Sequence, residues 1–470
     1  MSVADRVRHS EGAVRLRAKW VLPIESPPIE NGEVVIEDGR ITQVGKQLTP
    51  TNASHIDFGL SALMPGFVNV HAHLEYTVMR GLLEDVAFFT WIRTLTTLKT
   101  RLSFDDWVAS ATFGAAEMLA GGITTVADAC DAGASLSALL VSGQRGIVFR
   151  EVFGIDREPP IENILAALKR KIADMEEQIE RHHAEERLSV GVSPHAPYTV
   201  SAPLFGELAA YANSKGYRQC VHVGESPAEV ALIERGTGAF AEMYAARGID
   251  WTTPGVSPVR YVSDTGAFDA PTLAVHVVHA DKTDAELLAS KNVAVAHCPK
   301  SNGKLGAGFA PVKALLKAGV TVGLGTDSVA SNNSADMFEE MRSAVFTARA
   351  REQNPDALTA RDALYMATLG GAKALGLDAQ IGSLRHGKRA DLCVVRLDGL
   401  HLTPTADDNP VAALVYAARA SDVALTFVDG RVLYETGTYT MLDIARLRPA
   451  VAQIRARLFR EWQKEAKRGA

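Results

Sequence analysis

Cysteine is scarce in this chain and scattered. Cys130, Cys220, Cys298 and Cys393 are the four in 470 residues, and no two of them form a CxxC pair. That excludes a disulfide framework and a cysteine-based structural zinc site. Each lies in an apolar, strand-like run, as expected of a buried thiol in a reducing cytoplasm. Long hydrophobic runs are also missing: no stretch approaches the roughly 18 apolar residues that suggest a membrane span. The polar segment Met1 to Glu11 lacks the apolar centre of a secretion signal, so a soluble, cytoplasmic protein is expected. Positive charge is not in excess, with 49 Lys and Arg against 55 Asp and Glu for a net charge of −6. Without a basic stripe, this argues against a nucleic-acid partner. No internal repeat or low-complexity linker is found, and no GxGxxG follows the first strand of the central region, so a dinucleotide fold has no support.

What is present is an orderly alternation. Both ends of the chain are strand-rich. Residues 32–45 read as two strands joined at Asp38-Gly39, and Asp429-Gly430 marks a second hairpin turn. Between them, eight short apolar runs alternate with helical stretches. They are Met64 to Val70, Thr124 to Cys130, Ile147 to Phe153, Leu188 to Ser193, Gln219 to Val223, Leu273 to Val278, Val293 to Ala296 and Thr321 to Gly325. That is the count for an α/β fold closed as a (β/α)8 TIM barrel, with a small β-sandwich formed by both chain ends. The expected division is 1–62 and 376–440 for the sandwich, 63–375 for the barrel and 441–470 for a C-terminal surface helix. The helix from Ile161 places Leu168, Ile172, Met175 and Ile179 on one face, a core-packing stripe. His182 and His183 at its end read as solvated.

Chemistry collects at the C-terminal ends of the eight runs, where barrels of this kind carry their sites. His71 and His73 close the first, His195 the fourth, His222 the fifth, His276 or His279 the sixth, His297 the seventh and Asp327 the eighth. Seven of the thirteen histidines thus fall at strand ends. Any one alone is ordinarily structural, but together they describe a metal centre. Three histidines and a carboxylate suit one divalent ion, zinc or ferrous iron, with a position left for water. His71, His73, His222 and Asp327 are the natural set. Glu225, three residues after His222, is placed either to move protons in the same cavity or to cap the helix beginning near Ser226.

The segments Pro65-Gly66-Phe67-Val68-Asn69-Val70-His71-Ala72-His73, His222-Val223-Gly224-Glu225, His297-Cys298-Pro299-Lys300-Ser301-Asn302 and Gly325-Thr326-Asp327-Ser328 resemble the amidohydrolase superfamily. Within it they are similar to the S-adenosylhomocysteine and methylthioadenosine deaminases, with aminodeoxyfutalosine deaminases, guanine deaminases and triazine hydrolases as relatives. The resemblance implies that His71, His73, His222 and Asp327 bind the metal. It implies that Glu225 shuttles a proton to the attacked ring nitrogen, that Asp327 also accepts the water's proton, and that His276 rather than His279 contacts that water. His195 and Arg150 are implied as substrate contacts, Arg150 on the ribose or tail. The carbamylated lysine that binuclear members carry at the end of strand four is absent here, which implies one ion. The implied activity is hydrolytic deamination of an adenosine derivative by a cytoplasmic enzyme acting on a small molecule, with a homo-oligomer compatible. Hydrolysis of a guanine, pterin or triazine C–N or C–Cl bond is the alternative. The polar ribose contact found after strand one in the S-adenosylhomocysteine group is not evident around Thr97 to Thr100, whereas His73-Leu74-Glu75 is similar to aminodeoxyfutalosine deaminases.

Overall fold

Eight short parallel strands follow one another around a single sheet in chain order: Phe67–Ala72, Ile123–Cys130, Arg145–Val152, Leu188–Pro194, Gln219–Val223, Thr272–His276, Ala294–His297 and Val322–Leu324. The computed structural model describes residues 2–10, 12–48, 53–156 and 158–468, with side chains to 464. The barrel closes between its last and first strands. At the C-terminal end Asp327 N donates to His71 O at 2.9 Å, with a parallel bridge from Ala72 to Asp327. At the other end Val68 N donates to Ala367 O instead, so the turn before helix Leu369–Ala374 fills the seam. The interior is packed with Val68, Val70, Ala127, Ile147, Phe149, Cys220, Leu273, Val275, Ala294, Ala296 and Cys298. This is a solid core, so a ligand can enter only from the strand ends.

The apolar run expected as one first strand proves to be two. Ser61–Pro65 pairs antiparallel with Leu392–Arg396 in a second sheet, and only Phe67–Ala72 belongs to the barrel. That second sheet has nine strands, drawn from residues 14–65 and 392–439. The two anticipated hairpin turns are there. Asp38-Gly39 and Asp429-Gly430 both take left-handed backbone (φ 47° and 73°, 48° and 71°), as the tight two-residue turn requires. The sheet curls on itself, because Ile41 N donates to Lys388 O and Ala390 N to Gly39 O, each at 2.8 Å. Leu16, Val34, Ile41, Leu63, Leu392, Val394 and Phe427 fill the fold between its halves.

Arg145, the first residue of the third barrel strand, pins the two sheets together. Its Nε and Nη2 reach the Asp391 carboxylate at 2.7 and 3.2 Å, Nη2 also meets Asp429 Oδ1 at 2.6 Å, and Nη1 donates to Glu186 O at 2.7 Å. Arg145 and Asp391 are buried. Removing the guanidinium leaves a buried carboxylate without its counter-ion, which typically costs about 3–5 kcal/mol. Arg145→Ala is therefore expected to lower the urea midpoint by an amount of that order, measured by circular dichroism.

Helix Ile161–Arg181 buries the expected Leu168, Ile172, Met175 and Ile179, and His182 and His183 beyond it are exposed. All four cysteines are buried and unpaired. Helix Ile444–Arg468 packs Val451, Ile454 and Leu458 against Trp91, Leu95, Leu98 and Trp107. It thereby backs helix Phe88–Lys99, which overhangs the barrel mouth. Among the described residues no helix is long and apolar enough to cross a membrane.

Candidate active site

Strand alternation by itself would send His71 and His73 the wrong way. Val68 and Val70 face the barrel interior, so in a regular strand Ala72 would follow them inward and both histidines would face the helices. One extra residue intervenes: Asn69 pairs with Val126, but Ala72, three residues on, pairs with Asp128, only two on. This bulge inverts the parity and turns both imidazoles onto the barrel axis. The sixth strand uses another device. Leu273 and Val275 face inward, and left-handed backbone at His276 and Val277 (φ 74° and 49°) swings His276 to the same side.

The buried side chains of His71, His73 and Asp327 converge so that their ligand atoms lie within 4.8 Å of one another, as do those of His71, His222 and His276. Asp327 Oδ1 is 3.4 Å from His71 Nε2 and 3.5 Å from His73 Nε2. The other ring nitrogens are engaged elsewhere. His73 Nδ1 bonds Ala129 O at 2.8 Å, His222 Nδ1 bonds His195 O at 2.9 Å, and His276 Nδ1 bonds Asn302 Oδ1 at 2.9 Å. Those carbonyl acceptors place the proton on Nδ1 and leave Nε2 bare toward the centre. His71 Nε2 is buried and faces the Asp327 carboxylate. Burial depresses the protonation of all four imidazoles, His276 to about 4. Neutral imidazoles aimed at one point beside a carboxylate fit a divalent ion of zinc type.

Asp327 is the anionic member. Burial alone would raise its pKa, but bonding and attraction to His71, with His276 and His73 adding to it, hold it well below the usual carboxylate range. Its second oxygen accepts from Ser301 Oγ at 2.5 Å and Ser331 Oγ at 3.0 Å, which fixes the carboxylate plane. Glu225 behaves oppositely. Burial, then the nearby Asp327 and Glu229, push it well above the ordinary range, and its Oε1 lies 3.5 Å from His276 Nε2. The capping role that competes for Glu225 is filled by others. Ser226 accepts from Glu229 N at the helix start, and the Glu229 carboxylate accepts from Gly224 N and Glu225 N at 2.7 and 2.9 Å. Glu225 is left to the cavity.

Gly325 backs the pair from the last strand. A Cβ there would lie 2.9 Å from His71 Cβ and 3.0 Å from His71 N. Gly325→Ala is expected to displace His71 and weaken metal binding by about 10–100-fold, the size of effect seen when a ligand's support is disturbed, measured by competition with a chromogenic chelator.

Not every expected residue joins this cluster. Arg150 shares the outward face of Val148 and Val152, and its Nη1 donates to Cys130 O at 3.3 Å; the structure does not bring it into the cavity. The inward residue there is Glu151, which alternation from Ile147 and Phe149 would have found. His297 likewise shares the outward face of Val295, and both its ring nitrogens are buried without a partner. His279 is half-buried and lies away from the centre, its N bonded to Gly224 O. His195 does face the cavity, with Nδ1 on Thr199 Oγ1 at 2.8 Å.

Above the cluster lies a cavity of about 760 Å³, the size range of small-molecule sites. His73, His222, Glu225, His276 and Asp327 form its floor, and Trp91, Phe153, Tyr198, Phe240 and Met243 its walls. Of these, Trp91 comes from helix Phe88–Lys99, and Phe240 and Met243 come from helix Ala239–Arg247.

The amidohydrolase family model matches residues 62–433. The chain belongs to the amidohydrolase family. It is 36% identical over 455 residues to a 5-methylthioadenosine/S-adenosylhomocysteine deaminase of Symbiobacterium thermophilum, covering 94% of this chain and 98% of that one. It is 34% identical over 423 residues to a 5'-deoxyadenosine deaminase of Methanothermobacter thermautotrophicus, covering 89% and 93%. An adenosine deaminase from Xanthomonas campestris, crystallised with bound zinc, superposes with a TM-score of 0.83 at 29% identity, over 95% of this chain and 98% of that one. This amidohydrolase therefore resembles those proteins over nearly their whole length.

Proposed function

We propose that this amidohydrolase removes the amino group from the adenine ring of an adenosine derivative by hydrolysis, releasing ammonia. The observation that carries the reading is a buried Glu225, 3.5 Å from His276, beside a convergent three-histidine, one-aspartate cluster at the floor of a cavity large enough for a nucleoside. The deaminases to which the chain is similar along its length support it.

His71, His73, His222 and Asp327 would hold one divalent ion, zinc before iron, whose Lewis acidity makes a water nucleophilic at neutral pH. Around that water the chain supplies the proton chemistry. His276 Nε2, bare because Nδ1 faces Asn302, accepts one O–H and orients the attack. Asp327 accepts the proton the water gives up. Glu225, whose carboxyl burial pushes upward, delivers its proton to the ring nitrogen beside the attacked carbon and recovers one from the new hydroxyl as the C–N bond breaks, while Asp327 passes the water's proton to the leaving amine, which departs as ammonia. The cavity walls exclude bulk water, and His195 Nε2 faces the bound ring or sugar. Four buried thiols accord with a cytoplasmic setting.

Ammonia release and loss of adenine absorbance across a panel of adenosine derivatives test the proposal. Adenosine, 5'-deoxyadenosine, methylthioadenosine or S-adenosylhomocysteine should be turned over. No ammonia from any of them, with chloride or acid released from a triazine or amide instead, would overturn it.

A further inference from the structure

Glu151 is a buried group with no part in this chemistry. It closes the third barrel strand on the inward face, it lines the cavity, and its Oε1 is buried without a hydrogen-bond partner. Two of the cavity's three cations are committed elsewhere: Lys99 Nζ bonds Asp131 Oδ2 at 2.5 Å, and Arg247 bonds Asp156 Oδ2 at 2.6 Å. A Glu151 carboxylate oxygen lies within 4.8 Å of ring nitrogens of His73 and His222, and on the side away from the metal cluster Oε1 is 3.9 Å from His195 Nε2. Thr199 Oγ1 donates to Ala196 O at 3.1 Å and so accepts from His195 Nδ1–H, which leaves Nε2 without a proton. Two bare acceptors stand side by side facing the cavity. A buried acceptor left unmatched is costly, so a bound molecule that suits this wall presents donors to it.

The rest follows from the chemistry of the substrate and rests on the adenosine-derivative reading. On a 9-substituted adenine, N3 and N7 are acceptors and N1 takes the proton of Glu225. The only ring-borne N–H groups are those of the amine being expelled. On adenosine itself the donors that remain are the sugar hydroxyls. We propose that Glu151, with His195, determines specificity by receiving the vicinal diol of the nucleoside's ribose, one hydroxyl donating to Glu151 Oε1 and its neighbour to His195 Nε2. This places on the third strand the polar sugar contact that the segment after the first strand does not supply.

The test crosses the protein with the sugar. Metal-loaded wild type, Glu151→Gln and Glu151→Ala are assayed on adenosine, 2'-deoxyadenosine and 2',3'-dideoxyadenosine, with metal content measured for each. Wild type is expected to lose about 10²-fold or more in kcat/KM from adenosine to the dideoxy compound, because the site's acceptors are then left unpaired. Glu151→Ala should lose a similar factor on adenosine and nothing further on the dideoxy compound. Glu151→Gln, which keeps one acceptor oxygen, should fall between. A wild type indifferent to the hydroxyls, or an alanine variant slowed equally on all three, would overturn the assignment. The sugar series on wild type decides even where a variant fails to fold. Failure of the adenosine-derivative reading looks different: wild type then releases no ammonia from these three or from 5'-deoxyadenosine, methylthioadenosine and S-adenosylhomocysteine.

Discussion

Glu225→Gln is expected to lower kcat by about 10²–10⁴-fold, the range for loss of a positioned proton donor, with the metal retained. Glutamine matches the side chain in size but has no acidic proton to give the ring. The surrounding structure does not depend on that proton. The loop's amides at Gly224 and Glu225 are bound by Glu229, and the helix start is capped by Ser226. The variant should therefore fold, bind metal stoichiometrically and still bind substrate, with KM little changed. Single-turnover kinetics alongside elemental analysis check this. Wild-type turnover in a metal-replete variant would remove Glu225 from the mechanism.

Withdrawing the metal is expected to have a comparable or larger effect, and one that is reversible. Dialysis against a strong chelator should reduce ammonia release by at least about 10³-fold, because no residue here can replace Lewis acidity on the water. Added zinc should restore it. Stability should follow occupancy, with about 2.7 kcal/mol gained at a hundredfold excess over Kd, read as a rise in melting temperature. Asp327→Ala makes the same point covalently. It removes the anionic member of the proposed ligand set, to which Ser301 and Ser331 are hydrogen-bonded, so it should lose metal and activity together. An Asp327→Ala protein with full metal content and activity would contradict the ligand set.

How far the sequence carried these conclusions depends on which interaction placed each residue. The barrel and the terminal sheet were legible because strand periodicity and Asp-Gly turns are local signals. His71, His73, His222 and Asp327 were legible because metal-ligating residue types stood at successive strand ends. Parity decided the rest. Arg150 and Glu151 are neighbours on one strand, and the face filled by Ile147 and Phe149 determines which of them sees the cavity. His276 reaches the centre only through left-handed backbone that no residue type announces. Ser301 acts on Asp327 across 26 residues of chain, whereas Ser331 lies in the turn just after it, and Trp91 is brought to the cavity wall by how helix Phe88–Lys99 is seated. The C-terminal helix read as a surface element, and its sequence did not reveal that it underlies that wall.

The bulge in the first strand has a consequence for anyone transplanting this centre. His71-Ala72-His73 is not a portable cassette. Spliced onto a regular strand in the register of Val68 and Val70, the same three residues would present both imidazoles to the surrounding helices and only a methyl group to the axis. The instruction that turns them onto the axis is a count, one residue more than the neighbouring strand, and it is written in the spacing of the chain rather than in the identity of its histidines.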